Sequence, residues 1–110
     1  MAQVNYRLQG SFDGWLRRIE EGIVNGSVSA SLEERRDSRM GDVRCSLRTF
    51  ERYSWTGGNR VSLNVLLFGR DDAIELTAVS SGGSQAMFFK LNTLGENAFL
   101  DRLREIVEQG

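Results

Sequence analysis

The feature that most constrains this chain is a change of hydrophobic period. From Ser27 to about Leu91 apolar and polar residues alternate every second position, whereas the segments on either side repeat every 3.6 residues. A period-two pattern suits a half-buried strand and a period of 3.6 suits an amphipathic helix, so the middle reads as sheet and its flanks as helices.

The first strand precedes the first helix. Val4, Tyr6 and Leu8 share one face of a short strand that ends at Gly10. Ser11 is then placed to cap a helix, with Asp13 in its first turn, and Phe12, Trp15, Leu16, Ile19 and Ile23 make the apolar stripe. Arg17, Arg18, Glu20 and Glu21 occupy the opposite face, and Asn25-Gly26 is expected to supply a left-handed stop.

Within the alternating region, Val28, Ala30 and Leu32 open a strand, and Arg35 to Arg39 with Gly41-Asp42 reads as a charged hairpin end. Val43, Cys45, Leu47, Tyr53 and Trp55 are expected to face inward, with Arg44, Ser46, Arg48, Phe50 and Arg52 outward. Glu51 then falls on the inward side, which asks for a bulge near Thr49 to Glu51 or an overhang into solvent. Thr56-Gly57-Gly58-Asn59 is a hairpin signal. Val61, Leu63, Val65 and Leu67 face in on the next strand, and Gly69 to Asp72 turns into Ile74, Leu76 and Ala78. A last strand is expected over Ala86 to Leu91, with Met87, Phe89 and Leu91 on one face.

The C-terminal helix is expected to start at a capping box, Thr93-Leu94-Gly95-Glu96, and to bury Phe99, Leu100, Leu103, Ile106 and Val107. Strands joined by short turns form an antiparallel meander, and two amphipathic helices bury their stripes together on one of its faces. The expected architecture is one α+β domain over residues 1–110, a two-layer sandwich of five or six strands with two helices on one face. It resembles a pared-down helix-grip fold.

Composition narrows the chemistry. The chain has no histidine, no proline and a single cysteine, Cys45. That excludes a triad built on histidine, zinc held by histidine, and a disulfide within the chain. Fourteen basic and fifteen acidic residues leave a formal charge of −1, which argues against nucleic acid as the partner. No apolar run reaches membrane-span length, and there is neither a leader pattern nor paired cysteines, so a cytoplasmic setting is expected. No cofactor, metal ligand set or catalytic residue is nominated, since every nucleophile lacks the usual base.

Several strings are distinctive: Gly26-Ser27-Val28-Ser29-Ala30-Ser31-Leu32, Arg39-Met40-Gly41-Asp42-Val43-Arg44-Cys45, Tyr53 to Val65 with its Trp55-Thr56-Gly57-Gly58-Asn59 centre, and Ser81-Gly82-Gly83-Ser84-Gln85-Ala86-Met87-Phe88-Phe89-Lys90. Over nearly the whole chain they resemble a family of small bacterial proteins known only as a domain of unknown function. That resemblance implies no activity, cofactor or site residue.

Three surfaces remain as candidates. Phe50, Leu66, Phe68, Val79 and Phe88 are expected on the outer sheet face, away from the helices. A cluster of such groups approaches the few hundred Å² at which exposed apolar surface marks an interface. The chain is therefore read as an interaction module, either a homodimer through this face or a partner of another protein. The arginine row Arg44, Arg48 and Arg52 shares strand parity with Phe50 and suggests anion or single-strand binding, against the plainer reading of a solvated face paired with acids such as Glu33 and Glu75. The Ser80 to Gln85 segment, with Ser81, Gly82, Gly83, Ser84 and Gln85, offers backbone amides to an anion, though it lacks the lysine and helix of a phosphate loop. A small ligand between sheet and helices, lined by Trp15, Tyr53, Trp55 and Met87, is the remaining alternative. Cys45 is expected to be an inert core thiol, and neither Glu33-Glu34 nor Asp71-Asp72 forms a metal motif.

Overall fold

A computed structural model describes residues 2–26, 29–54, 59–82 and 89–109. Strand β1, Ala2–Gln9, leads at Gly10 (φ 122°), a conformation that glycine adopts without strain, into helix α1, Phe12–Asn25. Ser11 caps α1 as expected, its Oγ accepting from the Gly14 amide at 3.0 Å. Strands β2 (Ser31–Met40), β3 (Val43–Ser54), β4 (Asn59–Arg70) and β5 (Ala73–Gly82) follow, and helix α2, Phe89–Gln109, ends the chain.

The five strands form one antiparallel sheet in the order β1-β5-β4-β3-β2. This is the expected α+β architecture. The order places β1 and β2 on opposite edges, so α1 must carry the chain across the sheet. Four strand spacings are about 19 Å and fourteen helical residues about 21 Å, so one helix of this length makes the crossing. Both helices pack on the same face. Their stripes, including Phe12, Ile19, Ile23, Phe99 and Leu103, meet Phe50, Val61, Leu63, Val65, Leu67, Ile74, Leu76 and Ala78 in a single core.

Several local expectations are corrected. Residues Arg35 to Arg39 are not a hairpin end but the body of β2, an exposed edge strand. Only Gly41-Asp42 turns. Between β4 and β5 the turn is likewise just Asp71-Asp72, with Asp71 at φ 55°. The last strand does not form through Phe89, because α2 begins there, and Thr93 to Glu96 lie inside the helix rather than at its start. Val28, Trp55, Thr56 to Gly58 of the hairpin signal, Met87 and Phe88 lie outside the described residues.

Gly26 adopts right-handed φ and ψ of −84° and −6°, so it is not the left-handed stop its sequence context suggests. Space, not conformation, is what glycine supplies here. A Cβ on Gly26 would lie 2.2 Å from Arg102 Nε, and Arg102 Nε donates to the Gly22 carbonyl at 3.2 Å. An arginine from α2 thus donates to a carbonyl in the last turn of α1.

The largest correction concerns β3. Phe50 is fully buried, and Ser46 and Arg48 are buried with it, so the even-numbered positions face the helices and the odd-numbered ones face away. β3 pairs with β4 without interruption, Phe50 opposite Leu63 and Arg48 opposite Val65; the bulge lies in β2, between Leu32 and Glu34. The physical reason is what lies above the strand. The expected parity would bury the Glu51 carboxylate, at a cost of several kcal/mol if unpaired. Over its N-terminal half, β3 meets the charged flank of α1, where Val43, Cys45 and Leu47 would gain little from facing inward.

Candidate functional site

On the helix side of the sheet, register sets like charges opposite each other. Arg35 pairs with Arg48 and Arg39 with Arg44 across the β2–β3 ladder. Directly opposed like charges are destabilising on a sheet unless something neutralises them. Helix α1 does so with Asp13 and Glu20, seven residues apart and therefore on the same side two turns on. Arg44 Nη2 meets Asp13 Oδ1 at 2.7 Å, and its guanidinium lies 4.3 Å from the centroid of the Phe12 ring. Arg48 Nε donates to Glu20 Oε2, Arg35 Nη2 reaches Glu20 Oε1 at 3.0 Å, and Arg48 Nη2 reaches Asp37 at 3.1 Å. Ser46 Oγ donates to the same Asp37 at 2.6 Å.

The carboxylates feel these contacts. A hydrogen bond from Arg44, with its charge, holds Asp13 below the usual carboxylate range. Burial pushes Glu20 up, but hydrogen bonds and charge from Arg48 and Arg35 outweigh it and the group ends below its ordinary value. Asp37 is lowered first by the Ser46 hydroxyl and then by Arg48. Arg52, the third of the row, lies with its guanidinium 4.6 Å from the Phe99 ring centroid, and burial lowers its pKa. Arg44, Arg48 and Arg52 do share one face with Phe50, as strand parity requires, but it is the helix side. Asp13, Glu20 and Asp37 bind Arg44 and Arg48, rather than Glu33 or Glu75. The row holds helices to the sheet.

The other candidates separate in the same way. Ser80, Ser81 and Gly82 continue β5, while Gly83, Ser84 and Gln85 lie outside the described residues. Of the expected ligand lining, Trp15 is buried with its Nε1 donating to the Gln9 carbonyl at 3.0 Å, and Tyr53 is 54% exposed on the far side of the sheet. Trp55 and Met87 lie outside the described residues. Among the described residues no group of three acidic, cysteine or histidine side chains could hold a metal ion. No helix among them is long and apolar enough to cross a membrane.

The outer face is where exposed apolar groups gather. Leu66, Phe68 and Val79 lie there as expected, Phe50 does not, and Phe88 is outside the described residues. Reversing β3 adds three residues that sequence reasoning placed in the core: Val43, Cys45 and Leu47. Leu47 pairs with Leu66 and Cys45 with Phe68, side by side at the sheet centre. Met40, opposite Val43 on the edge strand, is 84% exposed and Phe68 is 36% exposed. Neither helix covers this face. Beside it, at the β4–β5 turn, a solvent-open concavity of about 1020 Å³ is lined by Val43, Phe68, Arg70 and Ala73 among others. This apolar surface is rimmed by the charged side chains of Arg36, Arg70 and Glu75.

A family model described as a family of unknown function, DUF6054, matches residues 1–110. No curated protein and no solved structure matches the chain.

Proposed function

The chain belongs to this family of unknown function, and on that premise we propose that it is a non-enzymatic protein-interaction module that self-associates through the outer face of its sheet. The observation that carries the reading is the placement of Met40, Val43, Cys45, Leu47, Leu66 and Phe68 together on a face that neither helix covers. Pairing two such faces is the ordinary way a sheet buries a second apolar side, with side chains interdigitating across about 10 Å. The same reading takes the protein as cytoplasmic, supported by its lone thiol.

Sedimentation velocity over a hundredfold range of concentration tests it. The wild type is expected to move from monomer to dimer, and Phe68→Asp, which sets a carboxylate in the patch, is expected to remain monomeric with an unchanged circular dichroism spectrum. A wild type that stays monomeric throughout would sink self-association. What favours the outer face over an arginine-row anion site is that Arg44 and Arg48 are already engaged by Asp13, Glu20 and Asp37.

A further inference from the structure

We infer that Asn25 is a site of spontaneous modification, at which the Gly26 backbone nitrogen displaces ammonia from the side chain, and that Arg102 on α2 slows the reaction by holding the last turn of α1 in place. The inference concerns the helix layer and does not depend on self-association.

Asn25-Gly26 is the one Asn-Gly pair in the chain, and both residues are exposed at the end of α1. Glycine matters here because no side chain hinders approach to its nitrogen or restricts the rotation that approach requires. In the reaction the deprotonated Gly26 nitrogen attacks Asn25 Cγ, a five-membered imide closes, and the bond from Cγ to the side-chain nitrogen breaks with release of ammonia. Water then opens the imide at either carbonyl, leaving aspartate or isoaspartate.

The fold sets the rate. A helix that runs to Asn25 directs the Gly26 N–H back along the axis toward the Gly22 carbonyl, so Asn25 must leave helical ψ before its Cγ comes within bonding reach. Arg102 opposes that movement. Its Nε donates to the Gly22 carbonyl at 3.2 Å, and its guanidinium fills the space beside Gly26 into which a Cβ would project. Asp13-Gly14, in the first turn of the same helix, is the contrasting pair. There the glycine amide donates to Ser11 Oγ at 3.0 Å, and the carboxylate, paired with Arg44 at 2.7 Å, stays ionised and is a poor electrophile. Asn25 presents a neutral amide instead, and its restraint comes from the neighbouring helix. Conversion places a carboxylate at the C-terminal end of α1, where the helix dipole disfavours it. Isoaspartate also lengthens the backbone by a methylene, which the helical repeat does not accommodate.

The test is incubation of the folded full chain in warm, mildly alkaline buffer, with aspartate and isoaspartate at residue 25 followed by peptide mass mapping and the urea-unfolded chain as reference. The folded wild type is expected to convert about tenfold more slowly than the unfolded chain, because reaction waits on local opening of the last turn. Arg102→Met and Arg102→Lys both remove the Nε donor, and each is expected to convert about threefold faster than wild type while thermal melts show it folded. Asn25→Gln is expected to stay intact, since its longer side chain closes only a less favourable six-membered ring. A folded wild type in which residue 25 remains unchanged throughout would overturn the site. Arg102 variants that are folded and convert at the wild-type rate would overturn the restraint.

Discussion

Arg48 in the middle of β3 and Glu20 on α1 form a pair in which the arginine side chain is only 6% exposed and the glutamate 21%. The same guanidinium donates to the Leu47 carbonyl at 3.0 Å and reaches Asp37. One side chain thus joins α1, β3 and the edge strand β2.

Truncating it should cost more than a surface substitution. Arg48→Met leaves Glu20 and Asp37 without their shared cation and is expected to destabilise by about 2 kcal/mol, below the figure for fully buried pairs because Glu20 and Asp37 both reach solvent. Glu20→Gln is expected to cost about 1 kcal/mol, and the double variant less than the sum. Urea unfolding measures all three. A loss under about 0.5 kcal/mol for Arg48→Met would place the residue on a solvated face instead.

The same network makes stability depend on acid. Asp13, Glu20 and Asp37 are all depressed in the folded state. Groups lowered on folding contribute fully above their unfolded values, about pH 4, and that contribution is lost as pH falls through the folded values. Unfolding free energy should therefore be flat from pH 7 to about 5 and decline below about 4. In the triple variant Asp13→Asn/Glu20→Gln/Asp37→Asn the decline should be shallower; an unchanged slope would mean that other carboxylates control acid stability.

Ser80 lies fully buried on β5, and its Oγ has no hydrogen-bond partner among the described residues. A desolvated hydroxyl without a partner costs free energy that alanine does not. Ser80→Ala should be neutral or raise stability by up to about 1 kcal/mol, read as a thermal midpoint at or above that of wild type. A clear drop in the midpoint would show that the hydroxyl is satisfied.

The crossing of α1 and α2 depends on Gly22, where a Cβ would lie 2.6 Å from Ile106 Cδ1. Gly22→Ala is expected to destabilise by about 1–2 kcal/mol through overpacking, despite alanine's better helix propensity. Shortening the neighbour in Gly22→Ala/Ile106→Val should recover part of that loss. An alanine variant more stable than wild type would mean that the helices separate freely.

Much of this fold was legible because periodicity reports which element a segment prefers. The Ser11 cap, the stripe from Phe12 to Ile23 and the inward run from Val61 to Leu67 all follow from local pattern. The β3 parity was not legible from that pattern, since Val43, Cys45 and Leu47 are more apolar than Arg44, Ser46 and Arg48. The contradiction posed by Glu51 was the available signal: with Phe50 turned inward, Glu51 points out and pairs with Arg60 at 2.5 Å, and β3 itself needs no bulge. Asp13 and Glu20 were visible as helix residues, but not as partners of Arg44 and Arg48. Their spacings, about 10.5 Å along the helix and about 13.6 Å along the strand, are close enough to have suggested it. The start of α2 at Phe89 ran against a local alternation, in Met87, Phe89 and Leu91, that is equally compatible with a strand.

Cys45 offers the most direct test of the outer face as a self-association surface, because it lies half-buried beside Phe68 within the patch. The rate of maleimide labelling should be measured from low to high micromolar protein, with the urea-unfolded chain as reference. The outer-face account predicts that labelling slows as concentration rises, and that Phe68→Asp removes the dependence. A rate that stays the same at every concentration, in wild type as in Phe68→Asp, would contradict it.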